Sequence, residues 1–210
     1  GGIIDGLPAG VEIDTEAVAF ELSRRKPGQS KLTTARRESD EVEWLSGLWE
    51  GKTTGSPLAF RIANKDARPK DYGNMQDVYR PGHADRTYQE KYGIRDPRGG
   101  GRSSARETAN WVVAGAIAGH LLPSELKCIA YVDQVGTIYA PALSTPDTTE
   151  IEAHPVRCPH AETAQEMEAL IKATMEKGDS VGGAIRCVVT AAPAGLGEPV
   201  FGKLPARLGA

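Results

Sequence analysis

The chain has 210 residues, 40% of them hydrophobic, and a formal net charge of −3, which suits one large buried core or two small ones. It contains no apolar run of about 18 residues, and its start, GGIIDGLPAG, has no basic, apolar leader, so we expect no membrane span, no secretion signal and a cytoplasmic location. Its three cysteines, Cys128, Cys158 and Cys187, include no CxxC pair, which argues against a disulfide scaffold.

The first sixty residues predict a strand, a helix and a hairpin. The strand covers residues 2–7 and ends at a Pro and a Gly. A helix capped by Asp14 or Thr15 runs to about Arg25, where a second Pro-Gly pair stops it. Apolar residues that alternate on both sides of a glycine-containing turn predict a hairpin over residues 42–62.

The remainder predicts a long loop followed by helices and strands in mixed order. Residues 64–102 hold many Pro, Gly and Asn residues without a sustained period, which indicates an ordered functional loop or, alternatively, a disordered insertion. The later predicted elements are a helix over 105–122, a strand region over 128–139, an amphipathic helix over 162–177 and a buried strand over 184–192. This order favours an α+β layered fold, built as one domain over the whole chain.

The segment RGGGRSSARET, residues 98–108, leads into the central helix. Ser104 and Glu107 have the spacing of a capping box, which places the start of the helix near Ser104. The first turn of a helix carries free N–H groups and a partial positive charge, and three arginines and two serines lie around it here. The segment is a candidate anion site, and an ordinary capped helix with solvated arginines is the alternative. It matches neither a P-loop nor GxGxxG.

A second basic cluster, SRRKPGQSKLTTARRE, occupies residues 23–38 and indicates a multiply charged ligand or a solvated helix end. From Arg24 to Arg106 the chain has 18 Lys and Arg against 11 Asp and Glu, whereas the rest has 7 against 17. Aromatic residues make up only 6% of the chain, so this basic half lacks the interleaved aromatics typical of nucleic-acid binders. Small phosphorylated ligands fit the pattern better.

The chain has four histidines, which are the candidates for proton transfer or metal binding. His83, in RPGHAD, is a candidate proton-transfer residue whose tautomer Asp85 would hold; a turn histidine satisfied by the backbone is the alternative. His120 lies near the end of the central helix, where the helix dipole favours a cation, and needs no further role. The segment HPVRCPH offers three ligand-type residues separated by prolines, so no metal site is predicted.

Five segments taken together are similar to chorismate synthases. They are RRKPGQS, TTARRE, TTGSPL, RPGHADRTYQEKYGIRDPRGGGRSSARET and PAGLGEPVF, in the order and at the spacing of that family. The resemblance extends from Gly1 to about Gly202, and the run from Arg80 to Thr108 is its most specific part.

The resemblance implies a lyase of the shikimate pathway to aromatic amino acids. Such enzymes convert 5-enolpyruvylshikimate 3-phosphate into chorismate by an anti 1,4-elimination of phosphate, and they need reduced FMN without any net redox change. NADPH is a candidate reductant. The implied fold is a layered sandwich of β-sheets enclosing helices, assembled as a homotetramer, with a small-molecule substrate and neither nucleic acid nor membrane as a partner.

The same resemblance assigns roles to individual residues. His83 matches the catalytic histidine that manages the proton on the reduced flavin. Cofactor binding is implied for Arg102, Ser103, Ser104, Arg25 and Lys31. Substrate binding is implied for Arg25 and Arg106. The family usually has arginine at the position of Lys31, and lysine keeps the charge but loses the planar fork.

The chain departs from the family at both ends. Family members begin with a Thr-Phe-Gly-Glu-Ser-His-Gly segment whose histidine is the proposed acid for the leaving phosphate, and this chain starts after it. They continue past the position of Ala210 by about another domain's length, with an Asn-Ala flavin contact, a further arginine and an aspartate base. We therefore expect the 210-residue chain alone to be inactive; a truncated module that binds phosphate or flavin is the alternative.

Overall fold

The computed structural model describes residues 1–33, 39–64 and 77–209. The chain divides into two compact units, Gly1–Leu121 and Leu122–Ala210. Each combines helices with small antiparallel sheets, which confirms the predicted α+β class. The assignment of the whole chain to a single partial domain stays a prediction.

The first unit combines a three-stranded sheet and a short two-stranded hairpin with three α-helices. Its elements are β1 (Gly2–Ile4), α1 (Thr15–Arg25), β2 (Val42–Ser46), β3 (Leu48–Trp49), β4 (Lys52–Thr53), β5 (Leu58–Ile62), α2 (Asp85–Tyr92) and α3 (Thr108–Gly119). Strand β5 is central and pairs antiparallel with β1 and β2. The predicted hairpin is confirmed, and the short β3–β4 hairpin lies within its connection.

Helix α1 begins where the sequence predicts. The carboxylate of Asp14 accepts hydrogen bonds from the backbone N–H groups of Glu16 and Ala17, both at 2.9 Å, and so caps the helix. Helices α1 and α3 pack on each other and share a core with the sheet. The fully buried members of this core include Val18, Leu22, Leu58, Val113 and Ile117. This packing brings the C-terminal end of α1 beside the residues that precede α3, where the candidate site lies.

The long loop predicted over 64–102 contains a helix, α2, that the sequence analysis missed. It is short and mostly polar, and its apolar content is two tyrosines, Tyr88 and Tyr92, whose rings meet edge to face at 5.4 Å. Gly93 ends it in the left-handed conformation at φ 73°. The part of the predicted loop between Asn64 and Asp77 lies outside the described residues.

The second unit has a three-stranded antiparallel sheet with β6 in the middle. Its elements are β6 (Lys127–Val135), β7 (Ile138–Tyr139), α4 (Thr148–Glu152), α5 (Ala161–Glu176), β8 (Gly183–Thr190) and α6 (Leu204–Gly209). The strand region, the amphipathic helix and the last strand were predicted, whereas α4 and α6 were not. The prediction that β8 is buried is wrong: none of its residues is buried, and Ile185 is 69% and Val189 50% exposed. In the described part of the chain, no helix combines the length and the apolar content needed to cross a bilayer.

Candidate functional site

Two of the predicted anion-binding arginines share one buried carboxylate. Arg25, the last residue of α1, donates from Nη1 to Oδ2 of Asp40 at 3.3 Å. Arg106 reaches Oδ1 of the same carboxylate with Nη2 at 3.0 Å. The side chain of Asp40 is 1% exposed, against 21% for Arg25 and 19% for Arg106. Among the described residues, the cluster therefore holds two guanidinium groups against the single carboxylate of Asp40.

Arg25 is also tied to the residues that lead into α3. Its Nε and Nη2 donate to Oγ1 of Thr108 at 3.3 and 3.1 Å, and Nη2 also donates to the carbonyl of Ala105 at 3.2 Å. Arg106 donates from Nη2 to the carbonyl of Ala63 at 3.2 Å. Both guanidinium groups are thus fixed by several partners, which lowers the entropy lost when they meet a ligand.

The segment between Gly100 and Thr108 is two successive 3₁₀ turns, Gly101–Ser103 and Ala105–Glu107, and the α-helix begins only at Thr108. The predicted helix start at Ser104 is therefore early by one turn. Ser104 does act as a cap, since its Oγ accepts from the N–H of Arg106 at 3.2 Å.

The glycines of this segment are explained partly by the backbone conformation and packing of the turn and partly by the space that they leave beside it. Gly101 has φ 51°, which disfavours a side chain, and a Cβ on Gly100 would lie 3.1 Å from the backbone of Ser104. A Cβ on Gly99 would meet none of the described residues within 4 Å, which leaves room beside this half-buried backbone. The hydroxyl of Ser103 donates to the carbonyl of Gly100 at 2.6 Å.

Glu107 does not complete the predicted capping box. Its carboxylate instead accepts hydrogen bonds from Nη1 of Arg102 and, at 2.9 Å, from Nδ2 of Asn110. Burial opposes ionisation of Glu107, but the hydrogen bonds from Asn110 and Arg102 outweigh it and lower the pKa of this carboxyl group. Glu107 is therefore the counter-ion of Arg102, whose side chain stays 71% exposed.

His83 makes its contacts within its own turn. Its Nδ1 lies 2.9 Å from the carbonyl oxygen of Pro81. Because a carbonyl only accepts, Nδ1 carries the proton, and Nε2 is left to exchange a proton with whatever lies outside. The ring is exposed. The backbone of Pro81, rather than the predicted Asp85, thus holds the tautomer.

Asp85 has different partners, which organise the turn that carries His83. Arg80 donates to both carboxylate oxygens, at 2.8 Å from Nε and 2.7 Å from Nη2, and its backbone N–H adds a third bond at 3.1 Å. Nη1 of Arg95 lies 3.9 Å away. The hydrogen bonds from Arg80 hold the pKa of the buried Asp85 carboxyl well below its usual range.

Lys31 lies in an exposed turn after α1. In this turn the hydroxyl of Thr33 donates to the carbonyl of Ser30 at 3.0 Å, and the hydroxyl of Ser30 accepts from the N–H of Leu32 at 3.2 Å. Three further polar residues of the predicted basic cluster, Thr34, Arg36 and Arg37, lie outside the described residues.

The remaining histidines have structural contacts. His160 caps α5, where its Nδ1 accepts from the N–H of Thr163 at 3.4 Å, and His154 lies 3.1 Å from a carboxylate oxygen of Glu168. Across residues 1–33, 39–64 and 77–209, no three His, Cys, Asp or Glu side chains are grouped so that they could hold a metal ion.

Comparison with known proteins decides the family. The model of the chorismate synthase family matches residues 1–210. The chain belongs to this family. It is 58% identical to the chorismate synthase of Parabacteroides distasonis over 211 residues and 58% identical to that of Christiangramia forsetii over 210 residues. All of this chain is covered in both cases, and it spans 59% of each relative.

A solved chorismate synthase structure supports the same conclusion for the fold. Its TM-score is 0.68 at 30% sequence identity, over 93% of this chain and 56% of that one. The match covers both units, so the chorismate synthase type of fold is confirmed for this segment.

Two acidic residues define the site: sequence reasoning missed Asp40 and gave Glu107 a different role. Asp40 stands at the end of the basic cluster and directly before a predicted strand, and an acidic residue in that place is a usable signal for an internal counter-ion. Glu107 was noticed, but as part of a cap. The two carboxylates set how much positive charge remains for a ligand.

Proposed function

We propose that this chain forms one wall of a chorismate synthase active site. The whole enzyme would eliminate phosphate from 5-enolpyruvylshikimate 3-phosphate to give chorismate, as a lyase of aromatic amino acid biosynthesis. The observation that carries the proposal is the pair of arginines on Asp40 beside the Arg102 turn, in a chain that matches the family along its full length. The chain spans 59% of the length of this relative, so the activity of the whole enzyme is part of the proposal.

The charges of the cluster suit a phosphorylated ligand. Among the described residues, the guanidinium groups of Arg25, Arg106 and Arg102 face two carboxylates, those of Asp40 and Glu107, so positive groups outnumber negative ones. The guanidinium groups of Arg25 and Arg106 are partly buried, so they attract an anion more strongly than they would in water. We assign Arg25 and Arg106 to the substrate phosphate.

The turn before α3 fits the phosphate end of reduced FMN. Arg102 offers an exposed guanidinium group, Ser103 and Ser104 offer hydroxyls beside it, and the open backbone at Gly99 allows close approach. When bound, reduced FMN supplies electron density to the substrate as the phosphate leaves. We also assign Arg25 and Lys31 to cofactor binding, where they would contact a further phosphate group. NADPH is the candidate reductant.

His83 is assigned to proton management. With Nδ1 committed to Pro81, its exposed Nε2 can accept or donate a proton on the side away from the turn. The Arg80–Asp85 pair fixes the turn, so the imidazole is held by a rigid frame rather than by a direct carboxylate contact. A cytoplasmic location and a homotetramer, both implied by the family, complete the proposal.

Flavin binding tests the assignment directly. Titrating FMN into the chain and into Arg102→Ala, with flavin fluorescence as the readout, should show binding weakened about 10- to 100-fold in the variant, as expected for the loss of a charge-assisted contact. Arg61→Ala is the matched control, because Arg61 is also an exposed arginine in an ion pair and lies 2.6 Å from Glu43. Its side chain points to the face of the sheet opposite that of the buried Phe60, away from the core. Equal affinities of the two variants would refute the assignment of Arg102.

Turnover separates the enzyme from a binding module. The 210-residue chain should bind FMN yet form no chorismate with reduced FMN, whereas a full-length chain that includes it should be active. Chorismate formation by the short chain at the full-length rate would overturn the expectation that other segments contribute to the chemistry.

A further inference from the structure

Two of the three cysteines meet across adjacent strands of the second unit. The Sγ atoms of Cys128 on β6 and Cys187 on β8 lie 3.6 Å apart, and both residues are exposed. We propose that Cys128 and Cys187 form a reversible dithiol–disulfide pair that reacts with low-molecular-weight disulfides.

The strand register places the two thiols on one face. Cys128 lies opposite Val189, and Cys187 lies opposite Ala130, so the two cysteines are diagonal neighbours. Because side chains of directly paired residues share a face and alternate residues along a strand do so too, both thiols point to the same side of the sheet. The strands pair on both sides of this diagonal, from Lys127↔Thr190 onward, which keeps the sulfur atoms together.

The geometry makes a disulfide easy to reduce again. Closing the bond requires the sulfur atoms to approach from 3.6 Å to about 2.05 Å. Diagonal Cα atoms in an antiparallel pair are about 7–8 Å apart, at or beyond the usual reach of a disulfide, so the bonded state strains the two strands. Strained and exposed disulfides are the labile ones, which is what a reversible pair in a reducing compartment requires.

The reaction balances with a small disulfide as the oxidant. One thiolate of the pair attacks a sulfur of the small disulfide, forms a mixed disulfide and releases a small thiolate. The second protein thiol loses its proton, attacks the protein sulfur of the mixed disulfide and releases the second small thiolate. Two protein thiols are oxidised, one disulfide is reduced to two thiols, and the two protons pass to the released thiolates.

The rate at which the pair is oxidised should depend on pH, and the third cysteine of the chain serves as an internal control. Burial and the neighbouring Cys128 thiol raise the pKa of Cys187, so oxidation should accelerate as the pH rises above neutral. The third cysteine, Cys158, is 1% exposed and contacts the carbonyl of His160 with its Sγ at 3.7 Å. Burial raises the pKa of Cys158 as well. It should stay reduced under native conditions.

Equilibration in glutathione redox buffers, followed by alkylation and peptide mapping, tests the proposal. The wild-type chain should lose two titratable thiols, gain a Cys128–Cys187 cross-link and keep Cys158 free, and excess reduced glutathione should reverse the change. Cys128→Ser and Cys187→Ser should each give a glutathione mixed disulfide on the remaining exposed cysteine instead.

The same map contains the outcomes that overturn the proposal. Glutathione attached separately to both exposed cysteines of the wild-type chain would show that the diagonal cannot close. Cys128 and Cys187 both remaining as free thiols in the wild-type chain, even in fully oxidised glutathione, would show the same. Because the wild-type map alone decides, a serine variant that fails to fold leaves the test intact.

Discussion

Arg25 and Arg106 share the carboxylate of Asp40, although they come from the end of α1 and from the turn that precedes α3. The carboxylate has two consequences. It offsets the repulsion between two partly buried guanidinium groups, and it competes with any ligand anion for them. A site built in this way has its arginines in place before the ligand arrives, at the cost of part of their charge.

Replacing Asp40 by Asn should destabilise the chain and strengthen anion binding at the same time. Asn keeps the shape but leaves two guanidinium groups without their counter-ion, so we expect the free energy of unfolding to fall by about 3 kcal/mol. The folded fraction should bind inorganic phosphate more tightly, because the substitution removes one negative charge that lies beside the two arginines. Urea unfolding and phosphate titration measure the two effects.

Asp96→Asn is the control for this variant. Asp96 pairs with Arg98 at 2.8 Å, but both side chains are more than half exposed, so its loss should leave the free energy of unfolding nearly unchanged. If Asp40→Asn is as stable as Asp96→Asn, Asp40 does not act as the counter-ion of the two arginines.

Asp85 should make the stability of the chain depend on pH. Its pKa is held below the unfolded value of about 3.9, so its contribution is fully present above about pH 5 and is lost progressively as the pH falls toward the folded pKa. Asp85→Asn should be less stable than the wild type by about 3 kcal/mol at neutral pH, because it breaks a buried pair. The difference should shrink between about pH 5 and about pH 3. A difference that stays constant over this range would contradict the assignment.

Local signals in the sequence were sufficient for the elements that depend on local chemistry. The sequence predicted Asp14 or Thr15 as the cap of α1, and Asp14 is the cap. The alternation around the glycine turn correctly predicted the β2–β5 hairpin. The helix α2 was missed because two tyrosines are its only apolar residues, too few to give a helical pattern of hydrophobic positions. Its start is fixed by the contact of Asp85 with Arg80, which such a pattern does not reveal.

Partner choice within the site was harder to predict than element type. Asp85 lies two residues from His83 in the sequence, yet it binds Arg80, because a bidentate contact to a guanidinium group is stronger than a single bond to a neutral imidazole. Glu107 has the capping spacing, yet it binds Arg102, because a hydrogen bond from a charged guanidinium group is stronger than one from a neutral backbone N–H. The apolar run of β8 predicted a buried strand, yet none of its residues is buried, because an apolar run does not show whether another element covers the strand.

His120 should be a structural histidine. Its Nδ1 contacts the carbonyl of Ala116 at 2.8 Å, and its Nε2 accepts from the N–H of Asp14 at 3.2 Å, which joins the end of α3 to the start of α1. His120→Ala should therefore lower the free energy of unfolding by about 1–2 kcal/mol, the net worth of two hydrogen bonds. Turnover per folded molecule in a full-length chain should not change. A loss of turnover with unchanged stability would contradict this role.

His83 should show the opposite pattern when it is changed in a full-length chain. Its ring is exposed and is held only by its own turn, so His83→Ala should have little effect on the free energy of unfolding. If its Nε2 manages the proton on the reduced flavin, turnover should fall by about 10²- to 10⁴-fold, the usual contribution of general acid–base catalysis. Binding of the enolpyruvyl substrate should change far less, because its phosphate is assigned to Arg25 and Arg106. Stability and turnover measured on one preparation of each histidine variant decide the matter: a His83→Ala protein that melts early but turns over normally would make His83 part of the turn and not of the chemistry.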